Sequence, residues 1–517
     1  MRDNTELLGR APASIVRRLV SGASKSDSTT FAKKFIFACY IVIAFANAGM
    51  AADLLTPVLS AVSALGIAGV VICLAMFING GIYSPFLVIP ALSVVWYDVP
   101  TSYYFLIKDQ VSLLSSAQQL YLYSTLVPVM CAAATAMGIG FKFFQGPIFK
   151  VQELSPRVVS GILVFNAALG CVQAIMIATG KWSFGTMNAL MASGESSPFL
   201  QFMFHVGGFS LPVTMMLLGH YFRRGKIFRP EVLIAFGIFA VDAYWTFVSG
   251  RRSLSNSSLL GLLLFFIVYF HGKKITFRAL AIALISVACA GAALNVTSKM
   301  FYALRLHSWS AGDQRMTFSF ADTISAMTNA DKDAVSTAYD ENVKARPFIV
   351  DHLAFVLNNS HGFLAGRLML QQALINVPTV ILKDKSGLGS APEELWTTYL
   401  GTPFTDYANT ELLDGWTDFG FLGFFIYLAI ICCLQQLVFK ITDYLKTDVF
   451  STIFHIATLC TMAEVEGDIG DYFTWARNMI IILIGSLIAI ALAKSLGRSY
   501  TLSQRRLPGL GSDRKSA

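Results

Sequence analysis

Apolar runs long enough to cross a lipid bilayer recur along most of this 517-residue chain, and nothing else constrains its fold as strongly. A spanning helix needs about 20 mostly apolar residues. By that rule about twelve runs qualify. They cover 35–52, 58–79, 84–104, 119–141, 158–179, 199–221, 231–249, 256–271, 277–296, 416–438, 449–465 and 473–495. The third is interrupted by Asp98 and Pro100, and the eighth is short. The expected fold class is therefore all-α, a polytopic membrane protein with about 12 transmembrane helices. Only 14% of residues are charged, against about 25% in a soluble domain.

Charge then orients the spans. The net charge of +8 does not point to nucleic acid, because the basic residues crowd into Met1–Lys34, Lys494–Lys515 and the short breaks between runs. That is the positive-inside pattern of a multi-span protein. "GFKFFQGPIFK", "FRRGKIFR", "HGKKITFR" and "FKITDYLK" fall on the side of the basic N-terminal tail, while "EVEGDIGD" at Glu464–Asp471 falls opposite. The expected layout is a cytoplasmic tail over 1–34 and nine spans within 35–296. A large external loop over 297–415, three spans within 416–495 and a second cytoplasmic tail over 496–517 follow. The termini, Met1–Thr30 and Leu507–Ala517, read as disordered. All eight cysteines sit inside apolar runs, so neither a disulfide framework nor a cysteine metal site is expected.

The external loop carries "PFIVDHLAFVLNNSHGFLAGRLMLQQALINVPTVIL", Pro347–Leu382, whose amphipathic patterning runs to about Pro378. Its apolar faces predict helices lying at the outer membrane boundary over the spans. A separate tethered domain is the less favoured alternative.

Three groups of residues suggest chemistry. In "SGRRSLSNSS", Arg251 and Arg252 face outside, against the bias of the other basic breaks. Snorkelling anchors are the plain reading. Paired guanidinium forks followed by Ser253 and further hydroxyls are also suited to a lipid-linked phosphate. Arg346, Arg367 and Arg477 are further cations for such a patch, although any one of them reads more simply as solvated or paired charge. In "ANTELLDGWTDFGFLGFF", Ala408–Phe425, Glu411, Asp414 and Asp418 cluster where the loop re-enters the membrane. Glu411 and Asp414 suit general-base work on a hydroxyl as well as they suit hydrated helix caps, and for Asp418 the cap is favoured. Gly415, Gly420 and Gly423 permit close helix approach. His361 is a candidate base near neutral pH, more simply read as structural. Walker, Rossmann, zinc and GxSxG patterns are lacking, so an already activated outer-face donor is expected, with no cofactor and no metal.

On "SGRRS" at Ser249–Ser253, the long external loop and "ELLDGWTDFGFLG" at Glu411–Gly423, the chain resembles the Wzy-like oligosaccharide repeat-unit polymerases and the related O-antigen ligases of bacterial inner membranes. The ligase pattern departs after His361, where Gly362 and Phe363 follow in place of a polar residue. The resemblance implies a GT-C-like, metal-independent glycosyltransferase in the inner membrane. It implies undecaprenyl-diphosphate-linked glycan as donor and acceptor, with a chain-length regulator as partner. Arg251 and Arg252 would neutralise the departing diphosphate with help from Arg346 or Arg367, and Glu411, Asp414 or His361 would handle the acceptor proton. The rivals are a ligase-type transferase and a polysaccharide or lipid flippase. Against the flippase stand the unlike halves of the chain and charges that gather at the outer rim rather than the midplane.

Overall fold

The computed structural model describes residues 13–248 and 348–484 apart from breaks, the longest at 183–197, and scattered positions between 261 and 339. The described residues are helical, with no strand among them. The first seven helices are α1 (Ala13–Ala51), α2 (Thr56–Asn79), α3 (Pro85–Ile107), α4 (Ala117–Gly140), α5 (Pro156–Ala178), α6 (Pro198–Arg223) and α7 (Pro230–Val248). Among the short helices that follow, besides Lys332–Tyr339 and Pro392–Leu395, are α8 (Ile349–Asn359) and α9 (Arg367–Asn376). Then come α10 (Glu411–Phe419), α11 (Gly423–Tyr444), α12 (Asp448–Ala463) and α13 over 469–484. Six of the described segments are long and apolar enough to cross a membrane. The eighth and ninth expected spans and both tail ends lie largely outside the described residues. Helix α1 already begins at Ala13, within the stretch expected to be disordered.

Sequence signals set several of these boundaries. Ser84 caps α3 by accepting from Phe86 N, with Pro85 at the first helical position, where a missing N–H costs nothing. Ser116 and Gln119 form a reciprocal capping box at the start of α4. Helix α3 runs through Pro90 and Pro100 without ending. Proline removes a backbone bond. Beside Pro100, the hydroxyls of Thr101 and Ser102 donate to the carbonyls of Tyr97 and Asp98, each at 2.8 Å. Asp98, a weak point in the hydropathy, is fully buried and accepts from Asn47 of α1 at 2.6 Å.

Helices α1 to α4 pack together, and α5, α6 and α7 form a second group. Helices α11 and α12 pack against α3, and α12 also reaches α6. Helix α8 lies against the bundle rather than apart from it. Phe348, Ile349, Val350, Leu353, Ala354 and Val356 are all completely buried, and all but Ala354 share one core with residues of α3 and α4. Its Asp351 accepts from the backbone N–H groups of Leu114 and Ser115, both at 2.8 Å. The continuous amphipathic stretch is in fact two helices, separated at 360–366, where Ala365 and Gly366 take positive φ.

Candidate functional site

The candidate site forms where α9, α10 and α13 meet. Thr410 caps α10 by accepting from Leu413 N at 3.1 Å, and its hydroxyl also meets Tyr97 Oη of α3 at 2.6 Å. Glu411 and Asp414 follow one turn apart, so they share a helix face. Both are buried, at 1% and 0% exposure, which rules out hydrated caps. The Tyr472 hydroxyl of α13 donates to Glu411 Oε1. Glu411 Oε2 has no hydrogen-bond partner among the described residues.

Asp418 is a cap, but of a helix fifty residues away. Its two oxygens accept from Leu368 N at 3.1 Å and Met369 N at 2.9 Å, the first turn of α9, and Tyr427 Oη donates to it at 2.8 Å. Anions are favoured there because the first N–H groups of a helix lack internal partners. The other end of α9 meets cations. Lys385 donates to the carbonyls of Ile375 and Val377, and Arg477 Nη1 to Asn376 O at 3.5 Å. Burial, and then Arg477 nearby, push the Lys385 ammonium below its ordinary value. Arg367, exposed at the start of α9, lies with its guanidinium 4.1 Å from the centre of the Tyr399 ring.

The fold thus brings Glu411, Asp414, Arg367 and Arg477 onto three connected elements. His361 stands apart in an exposed turn, its N–H donating to Leu400 O at 3.0 Å. Arg251, Arg252, Ser253 and Arg346 lie outside the described residues.

The acidic turn before α13 has a structural explanation. Asp468 Oδ1 accepts from Asp471 N at 3.1 Å, and Asp471 Oδ2 accepts from Asp468 N at 3.3 Å. This is the reciprocal geometry of a capping box with aspartate at both ends. Among the described residues no cluster of three or more His, Cys, Asp or Glu side chains is arranged to hold a metal. Burial raises the Asp468 carboxyl above its ordinary value. A raised folded value means that the native state holds this proton more tightly than the unfolded chain does. The contribution is therefore full below the ordinary aspartate range near pH ~4 and is lost as pH rises through the raised value. Asp468→Asn is expected to flatten that part of the thermal midpoint against pH, measured in detergent.

The sequence reading passed over Tyr97, Thr410 and Tyr472, which hold the site together. It also placed the charges at the outer rim, whereas Asp98 and Asp242 are buried within the helical bundles, at 0% and 1% exposure. An ionisable residue inside an apolar run is the signal that finds them.

The chain matches no known family model, no characterised protein and no solved structure. Fold and site together define an all-helical protein with the long apolar helices of a polytopic membrane protein.

Proposed function

We propose that the chain is a Wzy-like membrane polymerase. In this reading it joins undecaprenyl-diphosphate-linked repeat units on the outer face of the bacterial inner membrane, with about twelve spans and both termini cytoplasmic. One observation carries the reading: Glu411 is held by Tyr472 with its second oxygen unbonded among the described residues, at a junction whose other elements carry Arg367 and Arg477. A carboxylate oriented by one hydrogen bond has its other oxygen left to accept an acceptor-sugar proton. Arg251, Arg252 and Ser253, with Arg346, would neutralise the departing diphosphate, and fixed positive charge where negative charge develops is a large catalytic term. Two lipid-anchored substrates in one groove supply proximity.

The test is complementation of a deletion strain, read as the surface-glycan ladder on a gel. Glu411→Gln is expected to lower chain extension by about 10²–10⁴-fold at unchanged protein level, leaving single repeat units. Arg251→Ala and Arg252→Ala are expected to shorten chains, with lysine rescuing only in part, since lysine cannot form the bidentate fork. Normal ladders in all three variants, at normal protein level, would refute the reading.

A flippase is the second reading, favoured by the buried carboxylates Asp98 and Asp242. Intramembrane carboxylates commonly mark ion or substrate pathways. Under that reading the deletion traps repeat units on the cytoplasmic face instead of leaving them unpolymerised outside.

A further inference from the structure

A second polar cluster lies inside the group formed by α5, α6 and α7. It comprises Asn166 and Gln173 of α5, Ser210 and Thr214 of α6, and Asp242 of α7, each no more than 2% exposed. The spacings place each helix's pair on one face: i and i+7 on α5, i and i+4 on α6. Ser210 Oγ donates to Asn166 Oδ1 at 2.9 Å, and Asn166 Nδ2 donates to Thr214 Oγ1 at 2.6 Å. Thr214 Oγ1 lies 2.9 Å from Ser210 O and 3.0 Å from Asp242 Oδ2. Ser210 and Gln173 also lie within weak hydrogen-bonding reach of the same carboxyl.

The hydrogen-bonding capacity does not balance. Thr214 has one proton and two acceptors within reach, so it cannot satisfy both. Asp242 Oδ1 and both amide atoms of Gln173, Oε1 and Nε2, have no well-formed hydrogen-bond partner among the described residues. Asn166 Oδ1, Ser210 Oγ and Thr214 Oγ1 each keep at least one lone pair. Four oxygens from two helices, those of Asn166, Gln173, Ser210 and Thr214, therefore keep unused lone pairs around the Asp242 carboxylate, whose Oδ2 has Thr214 as its one well-formed hydrogen-bond partner and whose Oδ1 has none among the described residues. A buried carboxylate so poorly compensated is costly, and it requires a positive charge or a proton. The oxygens are hard donors and the site carries a single negative charge. A monovalent alkali cation neutralises it, whereas a divalent one would leave a buried positive charge.

We propose that these five side chains bind one sodium ion, with Asp242 as the anionic ligand. Polar residues within apolar helices, facing one another across a helix junction, form such a site without breaking the backbone. The same junction carries its own reporter. Trp245, three residues after Asp242, stacks on Trp182 with ring centroids 4.3 Å apart. A Cβ on Gly207 would lie 2.9 Å from Trp245 Nε1 and 3.1 Å from Gln173 Nε2, so indole and amide meet at that glycine.

The full chain, purified in detergent and choline chloride, is titrated with sodium chloride at constant ionic strength and neutral pH. Binding is read with radioactive sodium, and the emission of the tryptophan pair is followed alongside. Saturable binding of one ion is expected. Asp242→Asn is expected to weaken it by at least about 100-fold, and Ser210→Ala or Thr214→Val by about tenfold each. The milder variants keep the test open if Asp242→Asn does not fold. Absence of sodium binding by the folded wild type would overturn the proposal and leave Asp242 carrying a proton. Binding that survives unchanged in a folded Asp242→Asn variant would overturn it equally, by placing the ion elsewhere. No glycan enters the assay, so its outcome is independent of the polymerase reading.

Discussion

Gly423→Ala is expected to abolish the folded state, the largest effect of any single substitution considered. A Cβ at position 423 would lie 1.6 Å from the carbonyl oxygen of Gly415, and one at 415 would lie 2.7 Å from the carbonyl carbon of Gly423. Both clashes are with backbone, which cannot swing aside as a flexible side chain would. The contact exists because the chain folds back at Gly420, whose φ of +65° with ψ of −147° is open only to glycine. That reversal lets α10 lie directly on α11 and aims Glu411 and Asp414 inward. The expected loss exceeds about 4 kcal/mol, the exceptional range for a single change. Gly237→Ala in α7 is the control: a Cβ there meets nothing within 4 Å. It should be neutral or stabilising by up to about 1 kcal/mol. Monodisperse elution in detergent for Gly237→Ala, with aggregation for Gly423→Ala, is the expected pair of results. Equal behaviour of the two would show that the backbone contact does not support the fold.

Asp418→Ala should follow in size. It strips the partners from Leu368 N, Met369 N and Tyr427 Oη together. Unsatisfied buried donors cost about 1–3 kcal/mol each, so a loss of about 3 kcal/mol or more is expected. Asp418→Asn keeps one acceptor oxygen and should cost less. The measurement is the thermal midpoint in detergent together with limited proteolysis. Cleavage should appear first within 360–376, since α9 loses the anion at its start. A variant as protease-resistant as the wild type would show that the helix is held by other contacts.

Much of the chain's architecture was legible because a bilayer-spanning run carries its signature within itself. The second to seventh expected runs match helices α2 to α7 closely, the first matches only the end of the longer α1, and Asp98 with Pro100 did not break the third. The glycines of Gly415–Gly423 were read correctly as permitting close approach, although the approach is between two neighbouring helices of one hairpin. Less legible were properties made by residues far apart. Asp98 reads as a flaw in a span until Asn47, fifty-one positions earlier, is placed against it. Glu411 reads as a rim charge until Tyr472 arrives from α13. Asp418 was expected as a hydrated cap of its own helix, but it is fully buried and caps α9, which no local pattern reveals. The apolar face of helix α8 was legible, but not that Asp351 on it accepts from backbone N–H groups of the segment before α4.

Helix α9 is fastened at both ends by parts of the chain that are not otherwise continuous with it. Asp418 of α10 grips its start, while Arg477 and Thr474 of α13 grip Asn376 at its end. In mechanical terms it is a strut. Helices α10 and α13 cannot move apart without releasing one end or carrying the whole strut with them. The Tyr472–Glu411 bond lies between the same two helices, so a rearrangement that exposes the buried Glu411 must load the strut first.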